Sequence, residues 1–236
     1  MSEVDLSSLT IIIPAFNEVR GCAEVVSHLL ERFPSTTIVV VDDGSTDLTW
    51  QSLQPFADRI TLHRHQNNRG YGAALKTGMQ TAKTEFVMWF DADGQHAYDD
   101  VPKIAGPVLT GKVDAALGNR QKGSAFVVKR MPGKVVLKYV SQIIARRVIP
   151  DLNCGLRCFR REVISRYAHL LPNGYSASST STLLMLKLGY RIEFVPVRTG
   201  SRMGASKVVI LRDGLRTLAL LWKIALLELR PQGRPE

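Results

Sequence analysis

The chain is poor in cysteine, with Cys22, Cys154 and Cys158 only. An odd count offers no disulfide framework. Cys154 and Cys158 have three residues between them and no second pair, which excludes the usual zinc spacings. A reducing compartment is the default expectation. The first ten residues carry Glu3 and Asp5 and no apolar core, so no secretory leader is expected. The loop from Pro14 to Glu18 lacks the glycine fingerprint for a dinucleotide, and no Gly-x-x-x-x-Gly-Lys-Ser/Thr phosphate loop occurs. Hydride-transfer chemistry is thereby disfavoured. Internal repeats and low-complexity segments are absent too, and only residues 230–236, with two prolines and a glycine, read as a flexible tail.

Acids are also scarce: 21 Asp and Glu against 31 Lys and Arg, a formal charge of +10. The excess is uneven. From Arg120 to Arg166 twelve Lys or Arg face two acids, Asp151 and Glu162, a net charge equal to that of the whole chain. A basic face of this size suggests an anionic partner: nucleic acid, a phosphorylated substrate or an anionic membrane surface. No nucleic-acid-binding motif accompanies the charge, so nucleic acid is the least supported of the three. The 236 residues and an apolar share of 45% suit one large domain with a real core.

Strand-like and helix-like segments alternate along the first half. β-branched runs at 9–13 and 37–41, a brief run at 60–63 and the apolar run 86–90 read as strands; 18–33, 49–56 and 73–82 read as helices. This order predicts an α/β fold with a mostly parallel sheet and right-handed crossovers. The second half offers strands at 113–118 and 191–197, and helices at 133–148, 180–188 and 208–229.

Each polar cluster falls just after a strand, on the edge where open α/β sheets bind ligands. Asp91, Asp93 and Gln95 alternate after the run that ends at Phe90, so they can offer hard oxygen atoms to one small site. That chemistry suits Mg²⁺ or Mn²⁺, which share their shell with substrate phosphates. Asp42 and Asp43 are placed to accept hydrogen bonds from a ribose or base, or else Asp42 and Ser45 cap the next helix. Gly70 and Gly72 allow backbone to approach a ligand closely, with Arg69 and Lys76 near enough to neutralise a phosphate.

Taken together, several motifs resemble family 2 glycosyltransferases of the GT-A fold, in particular the dolichyl- and polyprenyl-phosphate sugar synthases. They are Ile13-Pro14-Ala15-Phe16-Asn17-Glu18, Val41-Asp42-Asp43-Gly44-Ser45-Thr46-Asp47, Asn68-x-Gly70-x-Gly72-x-Ala74 with Lys76 and Gly78, and Asp91-Ala92-Asp93-x-Gln95-His96. The resemblance continues through Gly118-Asn119-Arg120, the stretch from Asp151 to Arg161, and Arg202-x-Gly204-x-Ser206-Lys207. It implies that Pro14, Phe16, Glu18 and Asp43 hold the base and ribose of a nucleotide-diphosphate sugar, with Ala15, Asp42, Gly70, Lys76 and Ala92 also in the donor-binding set. Asp91, Asp93 and Gln95 would bind the metal on its diphosphate. Arg120 and Arg130 would hold an acceptor phosphate, while Arg202 and Lys207 close over the donor. Residues 9–120 would form the donor half, 121–207 the acceptor half and 208–229 an amphipathic helix, all within one domain spanning 1–229.

One departure from the resemblance bears on the acceptor. Related synthases often carry an acid after a Gly-aromatic pair, whereas Gly174 to Thr182 contains none. A sugar hydroxyl normally needs a carboxylate base, but a phosphate monoester, with a second pKa of about 6, is already largely ionised near neutral pH. A polyprenyl phosphate acceptor is therefore favoured over a saccharide hydroxyl, with Asp93 or Asp151 as the remaining candidate bases. The cationic amphipathic segments 133–148 and 208–229 then suit an anionic membrane surface, the alternative being core or homo-oligomer contacts. The longest uncharged run of the last segment, Thr217 to Trp222, is far short of the roughly 20 residues that span a bilayer. A peripheral enzyme on the cytoplasmic face of the membrane is the expectation.

Overall fold

A computed structural model describes residues 4–121, 139, 142–143 and 147–200. The expected helices at 133–148 and 208–229 fall largely or wholly outside them. Seven strands form one sheet: β1 (Leu9–Ala15), β2 (Thr37–Asp42), β3 (Thr61–Arg64), β4 (Phe86–Trp89), β5 (Ala115–Arg120), β6 (Arg157–Arg160) and β7 (Ile192–Val197). Their order is β3-β2-β1-β4-β6-β5-β7. β1 pairs in parallel with β2 and β4, as does β2 with β3 and β5 with β7. β6 alone runs the other way, antiparallel to both β4 and β5.

The first half follows the sequence pattern closely. Helices α1 (Cys22–Arg32), α2 (Thr49–Leu53) and α3 (Tyr71–Thr81) occupy the crossovers between the parallel strands. Three elements were not legible. α4 (Asp100–Leu109) carries Pro102 near its start and Pro107 within it, which masks a helical pattern that begins on acidic Asp100. β6 reads Arg-Cys-Phe-Arg, too charged for an obvious central strand, and α5 (Arg161–Arg166) follows it directly. The last described helix, α6 (Ala177–Lys187), starts three residues earlier than its apolar pattern suggests.

Alternation along the strands feeds two cores, one on each face of the sheet. On one face Ile11 and Ile13 of β1 join Met88 of β4 and Cys158 of β6, covered by Val25, Val26 and Leu29 of α1 and Ile104 of α4. On the other, Ile12, Val87, Trp89 and Phe159 pack against Leu75 and Met79 of α3, Val163 of α5 and Leu184 of α6. Trp89 and Phe159 meet with ring centroids 4.9 Å apart, tying β4 to β6. The close seat of α3 on β1 needs Gly78, where a Cβ would lie 2.2 Å from Cγ2 of Ile12. Gly78→Ala should therefore destabilise the protein by about 1–3 kcal/mol, the range for overpacking. The gain of about 1 kcal/mol in helix propensity would not offset this. Urea unfolding measures it, and a stabilised variant would mean that α3 lifts off the sheet without penalty.

Candidate active site

The loops after β1 and β2 are joined into one shelf. Asn17 adopts a left-handed φ of 49° and its side-chain oxygen accepts the Thr46 N–H at 2.8 Å. Its own N–H donates to Ser45 Oγ at 2.9 Å, and the Glu18 N–H donates to Thr49 Oγ1 at 2.8 Å. The Asp43 N–H reaches the Ala15 carbonyl at 2.8 Å. Pro14, Ala15, Phe16, Glu18, Asp42 and Asp43 thus lie together at one end of the parallel strands. Asp42 is fully buried, accepts the Ser45 N–H at 3.1 Å and pairs with Arg64 Nε at 3.1 Å.

Asp43 is turned toward its own chain. Oδ1 accepts from the Arg69 N–H at 2.9 Å and lies 2.6 Å from Nδ1 of His65, while Oδ2 accepts from the Gly70 N–H at 2.7 Å. His65 Nε2 continues to Thr77 Oγ1 at 2.9 Å. Asp43 therefore shapes the glycine loop. That loop also packs on protein: a Cβ at Gly70 (φ 101°) would lie 2.4 Å from the Asn173 carbonyl, and one at Gly72 2.1 Å from that of Pro172. The close backbone approach expected for a ligand is taken by residues 172–173. Lys76 follows the same course, donating to the Leu171 carbonyl at 3.2 Å and to Asn173 Oδ1 at 2.5 Å. Burial and the neighbouring Arg69 lower its pKa.

At the end of β4, Asp91 Oδ1 accepts from the Tyr71 hydroxyl at 2.9 Å and Oδ2 lies 3.1 Å from His96 Nε2. Burial, and then the charge of Asp91, push the Tyr71 phenol well above its ordinary range. Ala92 is buried; its carbonyl would stand 2.7 Å from a Cβ on Gly21, so this loop rests on the start of α1. Asp93 is buried and accepts the Gln95 N–H at 3.1 Å. Gln95 reaches the chain beyond β7, its side-chain amide donating to the Gly200 carbonyl at 3.2 Å and its own carbonyl accepting the Gly200 N–H at 2.8 Å. Among the described residues no three His, Cys, Asp or Glu side chains converge into a cation cage. Two carboxylates and an amide oxygen on one short turn still fit Mg²⁺ or Mn²⁺, which bind through one or two carboxylates and complete their shell with water and phosphate.

Arg120, at the end of β5, meets Asp151 through both Nε (2.7 Å) and Nη2 (2.9 Å), and its N–H also reaches that carboxylate at 3.3 Å. Burial alone would raise the Asp151 pKa, but the hydrogen bonds and charge of Arg120 outweigh it and hold the carboxyl below its ordinary value. Behind this pair lies Arg157, fully buried in β6. Its guanidinium donates to the carbonyls of Cys154 (2.6 Å) and Leu152 (2.9 Å), and to Thr182 Oγ1 (2.7 Å) and Ser181 Oγ (3.1 Å). The acid-free stretch noted in the sequence is thus largely a buried run of hydroxyls, Ser178 to Thr182, facing a buried cation. Arg130, Arg202 and Lys207 lie outside the described residues. Tyr71, His65, Gly155 and Arg157 acquire roles that sequence reasoning did not assign. His65 could have been suspected, because it too follows a strand on the ligand edge.

The mostly parallel sheet with one reversed strand, and a carboxylate turn at the strand ends, is similar to the architecture of GT-A glycosyltransferases. The family model described as "Glycosyl transferase family 2" matches residues 10–168, and the chain belongs to that family. An uncharacterized protein of Methanocaldococcus jannaschii is 33% identical over 208 residues, covering 84% of each chain. The UDP-N-acetylglucosamine–dolichyl-phosphate N-acetylglucosaminyltransferase of Methanococcus voltae is 27% identical over 213 residues, covering 80% of this chain and 84% of its own. Among solved structures, glucosyl-3-phosphoglycerate synthase from Mycobacterium tuberculosis in complex with Mn²⁺, UDP-glucose and phosphoglyceric acid superposes with a TM-score of 0.68. It is 19% identical, with 92% of this chain and 79% of that chain covered.

The Arg120–Asp151 pair has a pH signature. A carboxyl whose pKa is depressed on folding contributes stability above the ordinary carboxylate range and loses it as pH falls through the depressed value. The stability difference between wild type and Asp151→Asn should therefore be largest near neutrality and shrink below about pH 4. Urea unfolding of both proteins from pH 7 to pH 3 checks this; a difference independent of pH would contradict the pairing.

Proposed function

We propose that this chain transfers a sugar from a nucleotide-diphosphate donor to a polyprenyl phosphate at a membrane surface, inverting the anomeric centre. The observation that carries the reading is its similarity, over four fifths of its length, to the dolichyl-phosphate transferase of Methanococcus voltae. Asp91, Asp93 and Gln95 would hold Mg²⁺ or Mn²⁺, which when bound would offset charge on the departing diphosphate. The shelf of Pro14, Phe16, Glu18 and Asp43, with Ala15 and Asp42, would receive the nucleoside. Arg120, with Arg130, would hold the acceptor phosphate, and Arg202 and Lys207 would cover the donor.

The site chemistry agrees with an acceptor that arrives ionised. Asp151 is a weak base because Arg120 lowers its pKa. The start of α6 carries hydroxyls and no acid, and a hydroxyl cannot remove a proton from a sugar alcohol near pH 7. Phosphate needs no such help, so orientation by cations suffices. A membrane surface suits Tyr139, Ile143 and Val148, which are 61%, 75% and 74% exposed within the basic stretch. Among the described residues no helix is long and apolar enough to cross a membrane.

The test is sugar release from a panel of nucleotide sugars with Mn²⁺ or Mg²⁺, given polyprenyl phosphate in vesicles or a free saccharide. Turnover with the lipid phosphate alone is expected; turnover with the saccharide alone would overturn the acceptor assignment. Asp93→Ala should cut transfer by at least about a hundredfold, the scale for loss of a preorganised charge-stabilising group, with its circular dichroism unchanged. Near-normal turnover would remove Asp93 from the chemistry.

A further inference from the structure

We infer that Tyr71 is a positioning residue for the donor site, fixing the Asp91 carboxylate from the side of α3. The inference rests on the metal-assisted donor reading of Asp91 and extends it to a residue outside the Asp-x-Asp turn.

The carboxylate is held from three separate parts of the chain. Tyr71 opens α3 and donates its hydroxyl to Oδ1 at 2.9 Å. His96, from the loop beyond the turn, meets Oδ2 at 3.1 Å. Gly155, from the loop before β6, closes the remaining side, since a Cβ there would stand 2.0 Å from Oδ2. Tyr71 is itself immobilised. The residue before it, Gly70, donates its N–H to Asp43 at 2.7 Å, and the Tyr71 ring stacks on Tyr175 with centroids 5.5 Å apart. An ionised carboxylate offers about four lone-pair sites. A donor on each oxygen fixes the rotation of the carboxylate about its own bond. Partners of this kind set the orientation of metal-binding carboxylates, and their loss typically costs about 10–100-fold in metal affinity or activity.

Tyr71→Phe removes one hydroxyl and keeps the stacked ring, which separates aiming from packing. The probe is Mn²⁺ with whichever of ADP, CDP, GDP, UDP or dTDP the wild-type protein binds, measured by titration calorimetry. We expect Tyr71→Phe to weaken binding of that pair about 10–100-fold, while a melt without ligand shifts little. Gly155→Ala, which pushes the same carboxylate from the opposite side, should weaken it likewise. If Tyr71→Phe lowers the melting temperature but leaves affinity unchanged, Tyr71 is a packing residue and the inference fails alone. If the wild-type protein binds none of the five with Mn²⁺, the donor reading fails and the inference falls with it.

Discussion

A buried guanidinium sets the terms for the ligand edge of this sheet. Arg157 sits in the reversed strand at the centre of the molecule, fully buried, with neutral oxygens as its hydrogen-bond acceptors. Burial lowers its pKa, as it must for any cation removed from water. Such a charge is tolerated only when its donors are satisfied, so the groups that satisfy it are constrained in turn. Two are carbonyls of the loop 152–154, and two are hydroxyls of α6. The loop is thereby held where Gly155 touches Asp91, and α6 where its first turns stand beside Tyr71. Removing Arg157 would disturb both.

This dependence explains why the two halves of the chain were unequally legible. β1 to β4 and their crossovers obey simple patterns: β-branched runs, helical stripes, polar loops at the strand ends. Their alternation was sufficient to anticipate the mostly parallel sheet. The reversed strand broke the pattern because its charged residues read as surface. In the structure Arg157 is internal and satisfied, while Arg160 lies at the end of β6 with Nη1 2.7 Å from Glu85 Oε1. A buried arginine cannot be told from an exposed one by composition. What identifies it is the set of acceptors around it, which lie up to 25 residues away.

Polarity after a strand does not distinguish ligand contacts from internal ones. Asp43, Gly70 and Lys76 all lie where the sequence suggested, yet their described partners belong to the chain itself. The reason is geometric. Two segments that converge on one edge leave unpaired backbone groups there, and these need partners whether or not a substrate is present. A carboxylate that accepts two N–H groups and a histidine organises a loop as effectively as it would bind a ribose. The glycines are equally ambiguous, since close approach by the backbone of residues 172–173 requires the same absence of a side chain as close approach by a phosphate.

The same edge carries an asymmetry that bears on the proposed reaction. The carboxylates Asp91 and Asp93 follow β4, the proposed donor side, whereas Arg120 and Asp151 pair on the proposed acceptor side. Asp151, the acid nearest that side, is occupied by Arg120 and held at a depressed pKa. A site that had to deprotonate its acceptor would need the reverse arrangement: a carboxylate raised toward neutrality by burial, clear of cations. A lowered carboxyl paired with a raised arginine keeps both groups charged, which disfavours proton abstraction by Asp151. In the proposed reaction the acceptor brings its negative charge with it, and the enzyme's remaining task would be to hold that charge in line with the departing diphosphate.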